Sequence, residues 1–316
     1  MKPHIDAKGV YVIAPTPFHA DGRIDEGSID SMTDFFLKAG VDGITVLGQL
    51  GEAPKMTHEE SVGIVKRVIA RAKVPIVVGV SAPGFAAMRA LTQDVMAAGA
   101  TGVMIAPPNT LRTDDSIVQY YKQASEAIGA DVPFVIQDYP LTFSVQMTPA
   151  VIRRIHTENA ACWFLKHEDW PGLEKISTLR AYQKDGSLKP MSILVGNGGL
   201  FLDFEMERGA DGAMTGYAFP ELLIDVVRLQ KAGKRDAAHD LFDAHLPLIR
   251  YEQQPGAGLS VRKYVLQKRG IIASSAQRKP GATITATAKA EVEYLLSRVA
   301  RVDRRANLQP QSSAAG

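Results

Sequence analysis

A single cysteine, Cys162, stands in 316 residues. One thiol forms no intrachain disulfide and no multi-cysteine metal centre, and such usage suits a reducing cytoplasm. Neither sign of charge prevails: 36 Lys and Arg face 34 Asp and Glu, for a net +2. That balance leaves no electrostatic footprint for nucleic acid or an anionic membrane. No apolar run nears the roughly 20 residues that a membrane helix needs. The start, Met1–Val10, lacks the apolar stretch of a signal peptide. With 46% hydrophobic and 22% charged residues, the chain is neither disordered nor fibrous. The expectation is a soluble cytoplasmic protein that partners neither nucleic acid nor membrane.

What the chain does contain is alternation. Short apolar, β-branched runs occur at Val10–Ala14, Gly43–Leu47, Ile76–Val80, Gly102–Ala106, Phe134–Ile136, Cys162–Leu165, Ser192–Val195 and Gly212–Thr215. Each is apolar throughout, as a parallel strand covered on both faces should be. Between them lie amphipathic stretches with helix-start signals. Thr57-His58-Glu59-Glu60 is a capping box, and Thr148-Pro149 and Phe219-Pro220 put proline at a first turn. Ala39-Gly40, Gly99-Ala100 and Gly209-Ala210 end helices just before strands.

A length of 316 invites two domains, yet eight strand–helix units occupy most of it. The expected fold is α/β, a (β/α)8 TIM barrel over 1–233 with a C-terminal helical extension over 234–306. Within the extension Lys234–Ile249, Gly258–Arg269 and Ala286–Val302 read as helices, and 307–316 as a disordered tail. No Gly-x-Gly-x-x-Gly follows the first strand, against a doubly wound dinucleotide fold.

A barrel of this kind places its active site at the C-terminal ends of the strands. Strand 6 ends in Lys166, followed by His167, Glu168 and Asp169. A lysine in a barrel mouth is partly desolvated, which favours the neutral amine that attacks a ketone to form a Schiff base. The plain alternative is a solvated lysine at a strand end. His167 and Glu168 read as supporting or surface groups, since one His beside two carboxylates makes no metal site.

Strand 5 runs into Gln137-Asp138-Tyr139-Pro140; alternation puts Gln137 and Tyr139 on one face and Asp138 on the other. The loop Gly48-Gln49-Leu50-Gly51-Glu52 pairs two glycines, letting backbone N–H groups turn toward a carboxylate or simply making a tight turn. Beyond strands 7 and 8, Gly196-Asn197-Gly198-Gly199 and Thr215-Gly216-Tyr217 carry no Lys or Arg, which weakens a phosphate site there. They suit a substrate carboxylate or a plain turn.

Taken in order, these residues resemble the dihydrodipicolinate synthase / N-acetylneuraminate lyase family of class I aldolases and lyases, from about Gly9 to Ser275. The markers are Ala14-Pro15-Thr16-Pro17-Phe18, Gly48–Glu52 with the capping box behind it, Lys166, and Gly209-Ala210-Asp211-Gly212-Ala213-Met214-Thr215-Gly216. The resemblance implies a homotetramer and a Schiff base between Lys166 and a 2-oxo acid whose carboxylate lies on Gly48, Gln49, Leu50, Gly51 and Glu52.

There are departures. The family's Gly-Thr-Thr/Ser-Gly-Glu has Gln49-Leu50 at its centre, and its Tyr-Asn-x-Pro is Gln137-Asp138-Tyr139-Pro140 here. Asn109-Thr110 replaces the synthase's tyrosine pair after strand 4, and Leu141–Gln146 contains no arginine. Val135-Ile136-Gln137-Asp138-x-Pro140 looks most like the 2-keto-3-deoxy sugar acid dehydratase branch, such as the L-2-keto-3-deoxyarabonate dehydratases.

The expected function is dehydration of a 2-keto-3-deoxy sugar acid through a Lys166 iminium, with Tyr139 or a water held by Gln137 carrying protons. The loop Gly48–Glu52, Asp138, Gly196, Asn197 and Thr215 are the substrate-binding candidates, Glu52 and Asp138 chiefly as organisers. No metal and no organic cofactor is expected. A pyruvate-dependent aldolase is the runner-up; a non-catalytic 2-oxo acid binder and a phosphosugar isomerase are the other classes.

Overall fold

The computed structural model describes residues 6–308. The start of the chain, 1–5, and the expected tail from 309 onward lie outside the described residues. Eight parallel strands close into a barrel in sequence order. They are β1 (Gly9–Ile13), β2 (Gly43–Val46), β3 (Ile76–Gly79), β4 (Gly102–Ile105), β5 (Phe134–Asp138), β6 (Cys162–His167), β7 (Ser192–Val195) and β8 (Gly212–Thr215). All eight expected strands are present.

Two of them are longer than their apolar signal. β5 continues through Gln137 and Asp138, and β6 through Lys166 and His167, with Gln137 opposite Lys166 and Asp138 opposite His167. The run of apolar side chains ends before the ladder does, because backbone pairing is indifferent to side-chain polarity once each polar group finds a partner.

Around the barrel run α1 (Glu26–Ala39), α2 (His58–Arg71), α3 (Phe85–Ala97), α4 (Asp114–Ile128), the single turn α5 (Pro140–Phe143), α6 (Pro149–Glu158), α7 (Leu173–Lys184), α8 (Leu202–Glu207) and α9 (Pro220–Lys231). The capping box at Thr57 forms in both directions with Glu60, and α6 and α9 begin on their prolines. Gly40 closes α1 at φ 87°, the left-handed conformation that a Cβ would oppose.

The apolar interior has two layers. Tyr11, Ile13, Val77, Met104, Val135, Phe164, Leu194 and Met214 fill the barrel, while Ile44, Val46, Ile136, Leu165 and Val195 pack outward against the helices. On β6 the alternation slips once. Phe134 faces Cys162 and Val135 faces Phe164, leaving Trp163 as a bulge residue. Cys162 therefore faces the helices and Phe164 the barrel. From Phe164 onward every second residue of β6 points into the mouth.

Beyond Gly233 come α10 (Arg235–Glu252), α11 (Gly258–Lys268) and α12 (Ala286–Val299). Two buried polar contacts tie them to the barrel. Lys263 on α11 meets Glu52 of the β2 loop at 2.5 Å, both side chains almost fully buried. His245 on α10 bridges Tyr217, whose hydroxyl lies 2.9 Å from Nδ1, and Asp303, 3.0 Å from Nε2. A neutral imidazole protonated on Nε2 satisfies both.

Burial lowers the pKa of His245, although the Asp303 carboxylate opposes it. The unfolded chain takes up a proton near pH 6.5 that the folded protein refuses until lower pH. This contribution is therefore complete above about pH 6.5 and is lost as pH falls. His245→Gln is expected to reduce the loss of stability between pH 7 and pH 5. Thermal unfolding across that range reads it, and a slope equal to the parent's would contradict it.

Candidate active site

The mouth is organised around one carboxylate. Lys166 and Glu168, two residues apart on the inward face of β6 and its continuation, are 4% and 5% exposed. The Lys166 Nζ lies 2.8 Å from Glu168 Oε1. Gln137 Nε2, from β5, donates to the same oxygen at 2.8 Å. The backbone N–H of Asn197, beyond β7, donates to Oε2 at 3.0 Å. Three strands thus hold one carboxylate against one amine, so neither group is solvated.

Gly196 explains how the carboxylate fits. A Cβ there would lie 2.4 Å from Glu168 Cγ and 2.6 Å from Oε2, so only glycine leaves the side chain its place. Gly196→Ala is expected to push Glu168 off Lys166, lowering turnover at least tenfold (roughly) and stability by about 1–3 kcal/mol. Steady-state rates and chemical denaturation measure this. Gly63→Ala on α2, where a Cβ meets nothing within 4 Å, is the control, and equal behaviour of the two variants would refute the prediction.

The β2 loop is tightly shaped. Leu47 and Glu52 take positive φ of 57° and 56°, and a Cβ on Gly79 would sit 2.1 Å from the Leu47 carbonyl oxygen. The loop's turn bonds run from Gly51 N to Gly48 O and from Glu52 N to Gln49 O, using the N–H groups of Gly51 and Glu52 rather than those of Gln49 and Leu50. Thr16 Oγ1 braces the turn on Gly51 O at 2.7 Å. A cleft of about 520 Å³ opens beside it, lined in part by Gly48, Gln49, Met104, Gln137 and Phe143. It reaches the Glu168 cluster through Gln137.

Several substrate-binding candidates brace the scaffold rather than face the mouth. Asp138 faces the helix layer, fully buried, with Lys175 Nζ 2.8 Å from its Oδ2. It is not in the mouth, because β5 alternates straight through it. Glu52, a substrate-binding candidate read chiefly as an organiser, is a brace: its carboxylate pairs with Lys55 at 2.7 Å and Lys263 at 2.5 Å. That bracing anchors the loop to α11 and leaves the carboxylate unavailable to substrate. Thr215 Oγ1 accepts from Gly198 N at 2.8 Å, so it holds the β7 loop.

Tyr139 lies just past the end of β5, half-buried and packed edge-on against Phe143. Burial, and then the negative charge of Glu168, raise the pKa of its phenol. A phenol held in its acid form is a donor rather than a base.

Two residues escaped the sequence reading. Glu168 was set aside as a supporting or surface group, although the alternation that pairs Gln137 with Tyr139 also pairs Lys166 with Glu168. The other is Arg262 on α11, which no local pattern connects to the barrel. It is 1% exposed, bonded through Nε to Glu252 Oε2 at 2.8 Å, and its NH1 lies where a Cβ on Gly216 would be 3.0 Å away. A guanidinium thus lies beside the β8 loop, supplied by the extension rather than from after strand 5. Among the described residues no cluster of three or more His, Cys, Asp or Glu could hold a metal ion, and no helix is long and apolar enough to cross a membrane.

Known proteins resemble the chain over nearly its full length. The L-2-keto-3-deoxyarabonate dehydratase of Azospirillum brasilense is 27% identical over 298 residues, 92% of this chain and 94% of that protein. The Escherichia coli protein named "Probable 2-dehydro-3-deoxy-D-pentonate aldolase YjhH" is 25% identical over 296 residues, 92% and 96% of the two chains. A crystal structure described as dihydrodipicolinate synthase from Rhodopseudomonas palustris is 68% identical and superposes with a TM-score of 0.92, covering 93% of this chain and 98% of that one. The sequence pattern of the dihydrodipicolinate synthetase family matches residues 6–299. By that match, and by the closed barrel that carries it, the chain belongs to the dihydrodipicolinate synthetase family.

Proposed function

We propose that the protein is a Schiff-base lyase that dehydrates a 2-keto-3-deoxy sugar acid. The observation that carries this reading is the buried Lys166–Glu168 contact at 2.8 Å. An amine that is to attack a ketone must first give up its ammonium proton, and Glu168 is positioned to take it. Attack on C2 gives a carbinolamine, Glu168 returns the proton to its hydroxyl as water leaves, and the resulting iminium ion acidifies the C3 protons. C3 is only two bonds from the lysine nitrogen, so a base touching that nitrogen also reaches C3. Glu168 removes the C3 proton, the electron pair forms the enamine, and the C4 hydroxyl leaves as water with a proton returned by the acid form of Glu168.

Aldol cleavage would use the same carboxylate in the opposite order, as base at the C4 hydroxyl and then as acid at C3, so the Lys166–Glu168 pair serves either reaction. The strand 5 motif Val135-Ile136-Gln137-Asp138-x-Pro140 favours dehydration, with the aldolase as the second reading. Condensation of the synthase type fits less well, since Gln137 occupies the position of the family's strand 5 tyrosine.

The substrate carboxylate is assigned to the β2 loop, on the N–H groups of Gln49 and Leu50. Tyr139 supplies a donor at the mouth. The family resemblance adds a tetramer, and the composition a cytoplasmic setting without metal or organic cofactor. Borohydride reduction in the presence of pyruvate, followed by peptide mass spectrometry, tests the mechanism: the expected adduct is on Lys166. Incubation with 2-keto-3-deoxy-L-arabonate then separates the two lyase readings. A dehydrated semialdehyde supports the proposal, and pyruvate plus an aldehyde supports cleavage.

A further inference from the structure

Arg262 is a buried guanidinium with unused donors. Its Nε is spent on Glu252, but NH1 and NH2 are both buried and neither has a hydrogen-bond partner among the described residues. Buried donors are normally satisfied, and a charged one left open is costly. The Glu252 contact fixes the plane of the fork, so its open edge is held in one place. That edge borders the site: a Cβ on Gly216 would lie 3.0 Å from NH1 and 2.7 Å from Leu50 Cδ1. Leu50 belongs to the loop assigned to the substrate carboxylate, and Gly216 follows β8 directly. The Tyr139 phenol lies within the fields of both Glu168 and Arg262, so the guanidinium and the Glu168 carboxylate act on the same side chain at the end of β5.

We propose that Arg262 is a specificity-determining residue whose NH1 and NH2 donate to hydroxyl oxygens on the far end of a hydroxylated 2-oxo acid. This rests on the Schiff-base reading for where the near end lies. The local charge selects hydroxyl over a second carboxylate. Arg262 is balanced by Glu252 at 2.8 Å, and its neighbour Arg269 by Glu221 at 2.6 Å. A carboxylate arriving at that edge would meet a neutral group of four charges and would lose its hydration without gaining a free cation. A hydroxyl loses far less on burial and still accepts from the fork. The substrate class is therefore a 2-oxo acid with one carboxylate and a hydroxylated tail, not a 2-oxo diacid.

The test compares wild type with Arg262→Lys, which keeps the charge facing Glu252 but loses the fork, and with the double variant Arg262→Met/Glu252→Gln, which removes both members of the pair together. Equilibrium dissociation constants are measured by calorimetry, with each form of position 262 carried in a Lys166→Met background that binds without turnover, for 2-keto-3-deoxy-L-arabonate, for pyruvate, which has no tail, and for 2-oxoglutarate as the diacid. Both variants are expected to weaken the hydroxylated acid by about 10–100-fold and pyruvate by roughly threefold at most, erasing most of the wild-type preference for the tail. Equal weakening of the two would mean that Arg262 grips the shared carboxylate. No weakening of either would mean that water alone meets the fork. Tighter binding of the diacid than of the hydroxylated acid to wild type would mean that the fork takes an anion. Each of these overturns the proposal. Borohydride trapping of wild type with pyruvate is run alongside, so that a missing Lys166 adduct counts against the Schiff base while the ratio of dissociation constants still judges Arg262.

Discussion

Lys166→Met is expected to abolish the borohydride-stable adduct and to lower turnover by at least about 10⁴-fold, the scale on which enzymes lose activity with their covalent nucleophile. The barrel should survive the change. Among the described residues Lys166 bonds only to Glu168, which keeps Gln137 and the Asn197 N–H as donors, and methionine fills nearly the same volume. Far-ultraviolet circular dichroism should match the parent. The thermal midpoint should fall, since Glu168 keeps two donors but loses its buried counter-charge. Lys166→Arg should be just as inactive, because a guanidinium remains protonated and does not attack a ketone. A borohydride-stable adduct that persists in Lys166→Met, on any other lysine, would refute the assignment.

Glu168→Gln separates proton transfer from nucleophilic attack. The amide keeps the size of the side chain and can still accept from Lys166. It cannot take a proton from the ammonium or from C3. Turnover is expected to fall by about 10²–10⁴-fold, the usual contribution of a general acid–base group. The informative readout is exchange of the pyruvate methyl protons for deuterium, followed by proton NMR. Exchange should collapse along with turnover, whereas a long incubation with pyruvate and borohydride should still label Lys166. Retained exchange in Glu168→Gln would move the base to another group, with Tyr139 next in line. A raised phenol pKa makes Tyr139 a poor base, so Tyr139→Phe is the weaker variant on this reading.

These experiments bear on residues of unequal legibility. Lys166 could be read directly because its polarity interrupts an apolar strand at the end where barrels place their chemistry. Gln137 and Tyr139 followed from the same rule applied to strand 5. Glu168 obeyed that rule too and was passed over, because a carboxylate beside His167 and Asp169 looks like part of a solvated run. Its burial comes from Gly196, whose missing Cβ makes room for it, and nothing near Glu168 in sequence announces that glycine. Asp138 and Glu52, read chiefly as organisers, are braces: one ends β5, the other lies in the loop after β2, and both are held by lysines, Lys175 and Lys263, from helices packed on the outside or the top of the barrel.

The amino-acid sequence by itself determined the barrel, the order of its strands, the helical extension and the amine at the end of β6. Each depends on a local signal: apolar runs, helix caps, glycine stops, and one lysine where the run breaks. The family resemblance rested on the same local motifs. Tertiary structure alone decided what surrounds the amine. Gln137 and Asn197 meet the Glu168 carboxylate from 31 and 29 residues away along the chain, and that meeting requires closed parallel strands in a single register. The Arg262 fork reaches the mouth only after α10 and α11 have folded back over it. Strand and helix formation are encoded by neighbours, whereas the satisfaction of a buried charge is settled by whichever groups the closed fold brings within hydrogen-bonding distance.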